Sequence, residues 1–111
     1  RQAAASLNNS IFFVAARYDG KAIGMTRVVG DGGYIAYIAD VIVLPEYQGL
    51  GIGKNMVGMA MQFINNGISE GETVFVNLMA AKGKEHFYRK FGFSERPDET
   101  HGAGMAQLMK K

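Results

Sequence analysis

The sequence predicts an α/β fold with a mixed, mostly antiparallel central sheet and one parallel strand–helix–strand crossover. Three observations predict it. A β-branched and aromatic run is joined to a strand-like return by the tight-turn pair Asp19-Gly20. A long apolar run, Tyr34 to Leu44, leads into a stretch whose apolar residues recur at helical spacing. Another strand-like run, Thr73 to Met79, then follows that helix, so the two strands flanking it run parallel.

Taken in order, Arg1 to Leu7 reads as the tail of a helix. The chain opens on Arg1, not methionine, so N-terminal elements are expected to be missing. Ile11 to Tyr18 is the first strand, and Lys21 to Val29 is its hairpin return. Gly30-Asp31-Gly32-Gly33 makes the next turn, and Pro45 ends the third strand. That strand has apolar residues on both alternating faces, the pattern of a central strand covered on both sides. Val57, Ala60, Met61 and Ile64 define a helix face, with Asn66-Gly67 as its stop. A second helix, about Lys84 to Phe91, ends at Gly92. Phe93 to Arg96 and Gly104 to Met109 read as two final short strands around a polar loop. With no linker or repeat, residues 1–111 read as one domain.

Composition narrows the function classes. The net charge of +2 is too small to argue for nucleic acid or a membrane surface as partner. No apolar run approaches the ~20 residues of a spanning helix. The absence of cysteine excludes a disulfide framework, a thiolate zinc site and a cysteine nucleophile, and it fits a reducing cytoplasm. No metal site is expected. Fifteen glycines point to tight turns or to close backbone approach.

The glycines concentrate in Val41-Ile42-Val43-Leu44-Pro45-Glu46-Tyr47-Gln48-Gly49-Leu50-Gly51-Ile52-Gly53-Lys54. A strand runs into a loop with glycine at every second position, and a helix starts from it. Free N–H groups at a helix N-terminus carry roughly half a positive charge, and glycines let an anion approach them. A phosphate or pyrophosphate suits that geometry. A Walker A loop is broken, because Gln48 stands where the first glycine belongs and Asn55 replaces the hydroxyl. A dinucleotide fingerprint is broken too: the third glycine follows Gly51 by two residues, and Ser69-Glu70-Gly71-Glu72 reads as a loop. The plainer alternative is a glycine-rich turn that binds nothing.

Gln48-Gly49-Leu50-Gly51-Ile52-Gly53 resembles the Gln/Arg-x-x-Gly-x-Gly/Ala signature of the GNAT acyltransferase superfamily. Phe87-Tyr88-Arg89-Lys90-Phe91-Gly92-Phe93 resembles that family's Phe-Tyr-x-Lys-x-Gly-Phe segment, in register with the first motif. The resemblance runs from Ile11 to the C-terminus and implies a GNAT-like acyl-coenzyme A N-acyltransferase fold. It implies acetyl-coenzyme A as co-substrate, with the backbone amides of Gln48, Gly49, Leu50, Gly51, Ile52, Gly53 and Lys54 on its pyrophosphate. It further implies that the backbones of Val41 and Val43 pair with the pantetheine arm as an added strand would. That requires the third strand to splay from the Thr73 strand. Tyr88 matches the tyrosine near the coenzyme A sulfur. The family's further N-terminal strand and helices, which often shape the acceptor pocket, are not matched.

Acetyl transfer to an amine needs a neutral nucleophile, a stabilised oxyanion and a proton for the departing thiolate. An unperturbed phenol near ~10 keeps its proton at neutral pH, which makes Tyr88 the candidate general acid; its alternative is a packed aromatic, as expected of Phe87 and Phe91. Asp40 interrupts an apolar strand, and a buried carboxylate must be hydrogen-bonded, paired or raised in pKa. It is therefore either the general base, or a group that caps backbone amides or orients substrate. Glu46, His86 and His101 read as exposed side chains. Lys54, Lys84 and Lys90 are each placed to meet the outer phosphate, and nothing in the sequence chooses among them. Met56, Met59 and Met61 read as core filler.

The expected activity is transfer of an acetyl group to a small-molecule or protein amine by direct attack. The alternative is a non-catalytic acyl-coenzyme A-binding or regulatory domain. A polyamine, an aryl amine, an antibiotic, an amino acid and a protein amine all fit as acceptor, and an exposed sheet edge allows a homodimer.

Overall fold

The computed structural model describes residues 1–111, which gather into two compact units, Arg1–Met79 and Ala80–Lys111. No helix is long and apolar enough to cross a membrane.

The first unit begins with helix α1 (Gln2–Asn8), followed by strands β1 (Phe12–Tyr18), β2 (Lys21–Gly30) and β3 (Ile35–Val43). A 3-10 turn (Pro45–Tyr47) precedes helix α2 (Ile52–Asn66), and strand β4 (Phe75–Leu78) completes the sheet. Strand order is β1-β2-β3-β4, with β1–β2 and β2–β3 antiparallel and β3–β4 parallel. The expected mixed sheet with one parallel crossover is therefore present.

The turns follow from local chemistry. Asp19 and Gly20 both have positive φ, 50° and 75°, as the tightest hairpins need, and Tyr18 pairs directly with Lys21. In the next turn Asp31 Oδ1 accepts from the backbone N–H groups of Gly33 at 2.8 Å and Ile35 at 3.1 Å. Those donations, the Ile35 bond foremost, hold the Asp31 carboxyl below its ordinary value.

The core lies between the sheet and α2. Met56, Val57, Ala60 and Ile64 form the buried stripe of the helix, and they meet Val28, Ala36 and Ile38 of the sheet, all 3% exposed or less. Val28 and Val57 are fully buried, worth roughly 1.5–3 kcal/mol each in transfer terms. Gly24 permits the close fit, since a Cβ there would lie 3.2 Å from Met56 Cε and 2.9 Å from the Ile42 carbonyl oxygen. Phe12 and Phe63 rings stack at 4.9 Å.

Several expectations are corrected. Only one face of β3 is fully covered: Ile35 and Ile42 are each 49% exposed, because α2 packs on the other face. Met59 is half exposed, so of the three helix methionines only Met56 is fully buried. The helix does stop at Asn66, but Gly67 is right-handed (φ −85°), and its N–H closes onto Phe63 and Ile64 carbonyls.

The second unit holds helix α3 (Glu85–Arg89), shorter than the expected 84–91. Gly92, at φ 90°, ends it in the left-handed manner, with Gly92 and Phe93 N–H groups returning to Arg89 and Tyr88 carbonyls. Neither Phe93 to Arg96 nor Gly104 to Met109 is a strand. Met105, Leu108 and Met109 are 85–91% exposed. Residue type sets a strand's propensity, but only a ladder partner satisfies its backbone, and this tail has none.

Candidate acyl-coenzyme A site

Strand β3 and the start of α2 bring the expected binding residues together in the first unit. The Leu44 N–H donates to the Ile23 carbonyl at 2.8 Å, so Ile23 and Leu44 form a hydrogen-bonded pair. Alternation then makes Gly24↔Val43 and Thr26↔Val41 non-hydrogen-bonded pairs, whose own N–H and C=O groups point away from the shared interface. The backbones of Val41 and Val43 therefore face the β4 side of β3. Strand β4, however, pairs only with Ile35 to Ile38. The β3 edge from Ala39 to Val43 is bare of any strand, as the added-strand expectation requires.

This open edge runs into the glycine loop. Gln48 Nε2 donates to the Val43 carbonyl at 3.0 Å, which ties the loop to the strand end. Gly49 and Gly51 take φ of 81° and 84°, a region that excludes most side chains. Gly51 is the N-cap of α2, and no side chain caps the helix there. The first turn contains no acidic residue, and Lys54 is exposed on it. Ile52, Gly53 and Lys54 thus present N–H groups at the positive end of a fifteen-residue helix. The arrangement fits a pyrophosphate, because an anion satisfies donors that the protein leaves without a cap. A separate apolar hollow of about 400 Å³, lined by Ile11, Ala36, Phe63 and Val74 among others, lies at the opposite end of β3 and α2. It contains none of the loop residues.

Asp40 immediately precedes Val41. Its carboxylate is paired: Arg27 Nε donates to Asp40 Oδ2 at 2.5 Å, with side chains 18% and 34% exposed. The strand carboxylate is thus both hydrogen-bonded and ion-paired. The Asp40 backbone carbonyl also accepts from the hydroxyl of Thr26, the one fully buried polar side chain. Arg27 is a site residue that the sequence reading missed. Its signal was a cation among the apolar residues at the middle of β2, which gains meaning only once the register sets it opposite Asp40.

Tyr88 lies on α3 in the second unit and is partly buried. Its ring makes edge contacts with Phe87 at 5.0 Å and Phe93 at 6.3 Å. Burial pushes its phenol above the ordinary value of 10.0, which keeps the proton in place. Glu46, His86, Lys84 and Lys90 are exposed. His101 is exposed too, and its Nδ1 lies 2.9 Å from Asp98 Oδ1. The His101 contact and backbone donation to the same carboxylate hold Asp98 well below the usual range.

Known proteins resemble this chain in both fold and sequence. The fold is that of solved acetyltransferases. A probable acetyltransferase of unknown function from meticillin-resistant Staphylococcus aureus superposes with TM-score 0.85 at 36% identity, covering 97% of this chain and 78% of that one. The family model for the acetyltransferase (GNAT) domain matches residues 8–95. This chain belongs to the GNAT acetyltransferase family. Among curated relatives, the uncharacterized N-acetyltransferase ycf52 of Pyropia yezoensis is 34% identical over 82 residues, 74% of this chain and 45% of the relative. The chloroplastic GCN5-related N-acetyltransferase 2 of Arabidopsis thaliana is also 34% identical over 82 residues, 74% of this chain and 30% of its own length. The chain thus spans less than half the length of these curated relatives.

Proposed function

We propose that this chain transfers an acetyl group from acetyl-coenzyme A to a primary amine by direct attack. The observation that carries the reading is the bare β3 edge at Val41 and Val43 leading into the uncapped, glycine-turned N-terminus of α2. Backbone amides from Gln48 to Lys54 hold the pyrophosphate, and the outward backbone groups of Val41 and Val43 align the pantetheine arm as a further strand. Acetyl-coenzyme A supplies the activated acyl group.

The chain's own residues manage protons. An alkylammonium near ~10 must lose a proton before its nitrogen can attack, and the carboxylate of Asp40 is the assigned acceptor and orienting group. The Tyr88 hydroxyl donates a proton to the thiolate as the C–S bond breaks, and it is restored by the second proton leaving the new amide nitrogen. Net, one ammonium and one thioester give one amide, one thiol and one proton. Family membership and the raised phenol of Tyr88 support this assignment.

Free thiol should appear only when acetyl-coenzyme A and an amine are both present. The panel follows from the acceptors compatible with the sequence: spermidine, tryptamine, kanamycin, lysine and a peptide with a free N-terminus. At least one should raise thiol release at least tenfold above the amine-free rate, about 1.4 kcal/mol in barrier. A chain that binds acetyl-coenzyme A yet releases no thiol with any of them is a binding domain, and the enzymatic reading fails.

A further inference from the structure

We infer that Arg27 is a positioning residue of the proposed reaction, fixing the Asp40 carboxylate on the sheet face opposite α2 with Oδ1 left to meet the acceptor amine. The inference rests on the acetyltransferase reading above and deepens it by assigning the orientation of Asp40 to a residue outside both motifs.

Three devices place Asp40. The first is a β-bulge. The β2–β3 register passes from Arg27↔Asp40 to Val28↔Ile38, so Ala39 has no partner of its own. Val28 and Ile38 point into the core under α2. Without the extra residue, Asp40 would stand two positions beyond Ile38 on that same face. The bulge turns it to the opposite face, beside the outward-facing backbone of Val41. The second device is the Thr26 hydroxyl, which pins the Asp40 carbonyl from the buried side. The third is Arg27, whose Nε holds Oδ2 while its Nη1 donates to Ser10 Oγ at 3.3 Å. Ser10 Oγ in turn donates to the Ser6 carbonyl at 2.8 Å, so the guanidinium is anchored to α1.

The other oxygen, Oδ1, has no hydrogen-bond partner within the chain. No buried side-chain oxygen is left unpartnered, so Oδ1 reaches solvent. One carboxylate oxygen is thus immobilised and the other is presented next to the edge assigned to the acyl arm. Stability alone does not account for the pair, because a partly desolvated ion pair contributes little over an apolar pair of the same volume.

The test uses the full chain, the amine panel above, and four variants: Arg27→Met, Arg27→Lys, Asp40→Asn and Arg27→Met/Asp40→Asn. Acetyl-coenzyme A affinity, read by calorimetry, and thermal unfolding are followed beside kcat and the amine KM. Misorientation of one reacting group typically costs up to about a hundredfold. Arg27→Met should therefore lower kcat/KM for the amine about thirtyfold while leaving acetyl-coenzyme A affinity within about twofold. Arg27→Lys, which keeps the charge but loses the planar fork, should fall between it and the parent. The double variant should be no worse than Asp40→Asn, because Arg27 acts through Asp40. Parent-like kinetics in Arg27→Met, multiplied losses in the double variant, or a loss of acetyl-coenzyme A affinity in step with rate would each overturn the role. Should Arg27→Met not fold, Arg27→Lys decides by the same criteria. Failure of the underlying acetyltransferase reading shows separately, as a parent chain that acetylates no amine.

Discussion

Replacing Tyr88 with phenylalanine is expected to lower kcat about a hundredfold while leaving acetyl-coenzyme A affinity unchanged. General acids contribute typically 10²–10⁴ in rate, and the substitution removes one oxygen without disturbing the edge contacts to Phe87 and Phe93. Steady-state thiol release beside calorimetry separates the two quantities; an unaltered kcat would remove Tyr88 as the acid. The pH profile gives an independent check. Burial raises the Tyr88 pKa above 10.0, so the protonated, active form persists through neutral and mildly alkaline solution. Activity governed by this acid is retained as pH rises and declines only above about 10. An alkaline limb near neutrality would assign the acid to another group.

Replacing Gly51 with valine is expected to weaken acetyl-coenzyme A binding at least about tenfold, or ~1.4 kcal/mol, in a chain that still folds. A Cβ at Gly51 meets nothing within 4 Å, so the effect does not come from a clash. It comes from the backbone. At φ 84° a β-branched residue is a genuine outlier, and relieving that strain re-aims the N–H groups that begin α2. Calorimetric titration with a thermal melt reads both parts. Undiminished affinity would mean that the loop does not carry the pyrophosphate.

Much of this protein was legible from residue pattern, wherever local chemistry alone decides the outcome. Asp19-Gly20 can close the first hairpin because both positions need positive φ, and the stripe at Val57, Ala60 and Ile64 had one face to bury. The spacing of Gly49 and Gly51 marks the loop in the sequence itself. What escaped depends on register and partners. Asp40 was visible as a carboxylate in an apolar strand, but whether it had a charged partner turned on which β2 residue lies opposite. The bulge at Ala39 sets that register, and no composition signal marks it. The same limit explains Gly104 to Met109. The segment reads as a short strand, yet it lacks the ladder partner that would make it one.

The most direct test of the acyl-coenzyme A site is a titration of acetyl-coenzyme A into the uniformly ¹⁵N-labelled chain, followed by amide chemical shifts. Saturable shifts should concentrate at the amides of Gly49 to Lys54 and at Val41 and Val43, the donors that the fold leaves uncapped and facing the open edge. Absence of shifts, or shifts confined to the hollow lined by Phe63 and Val74, would contradict the account.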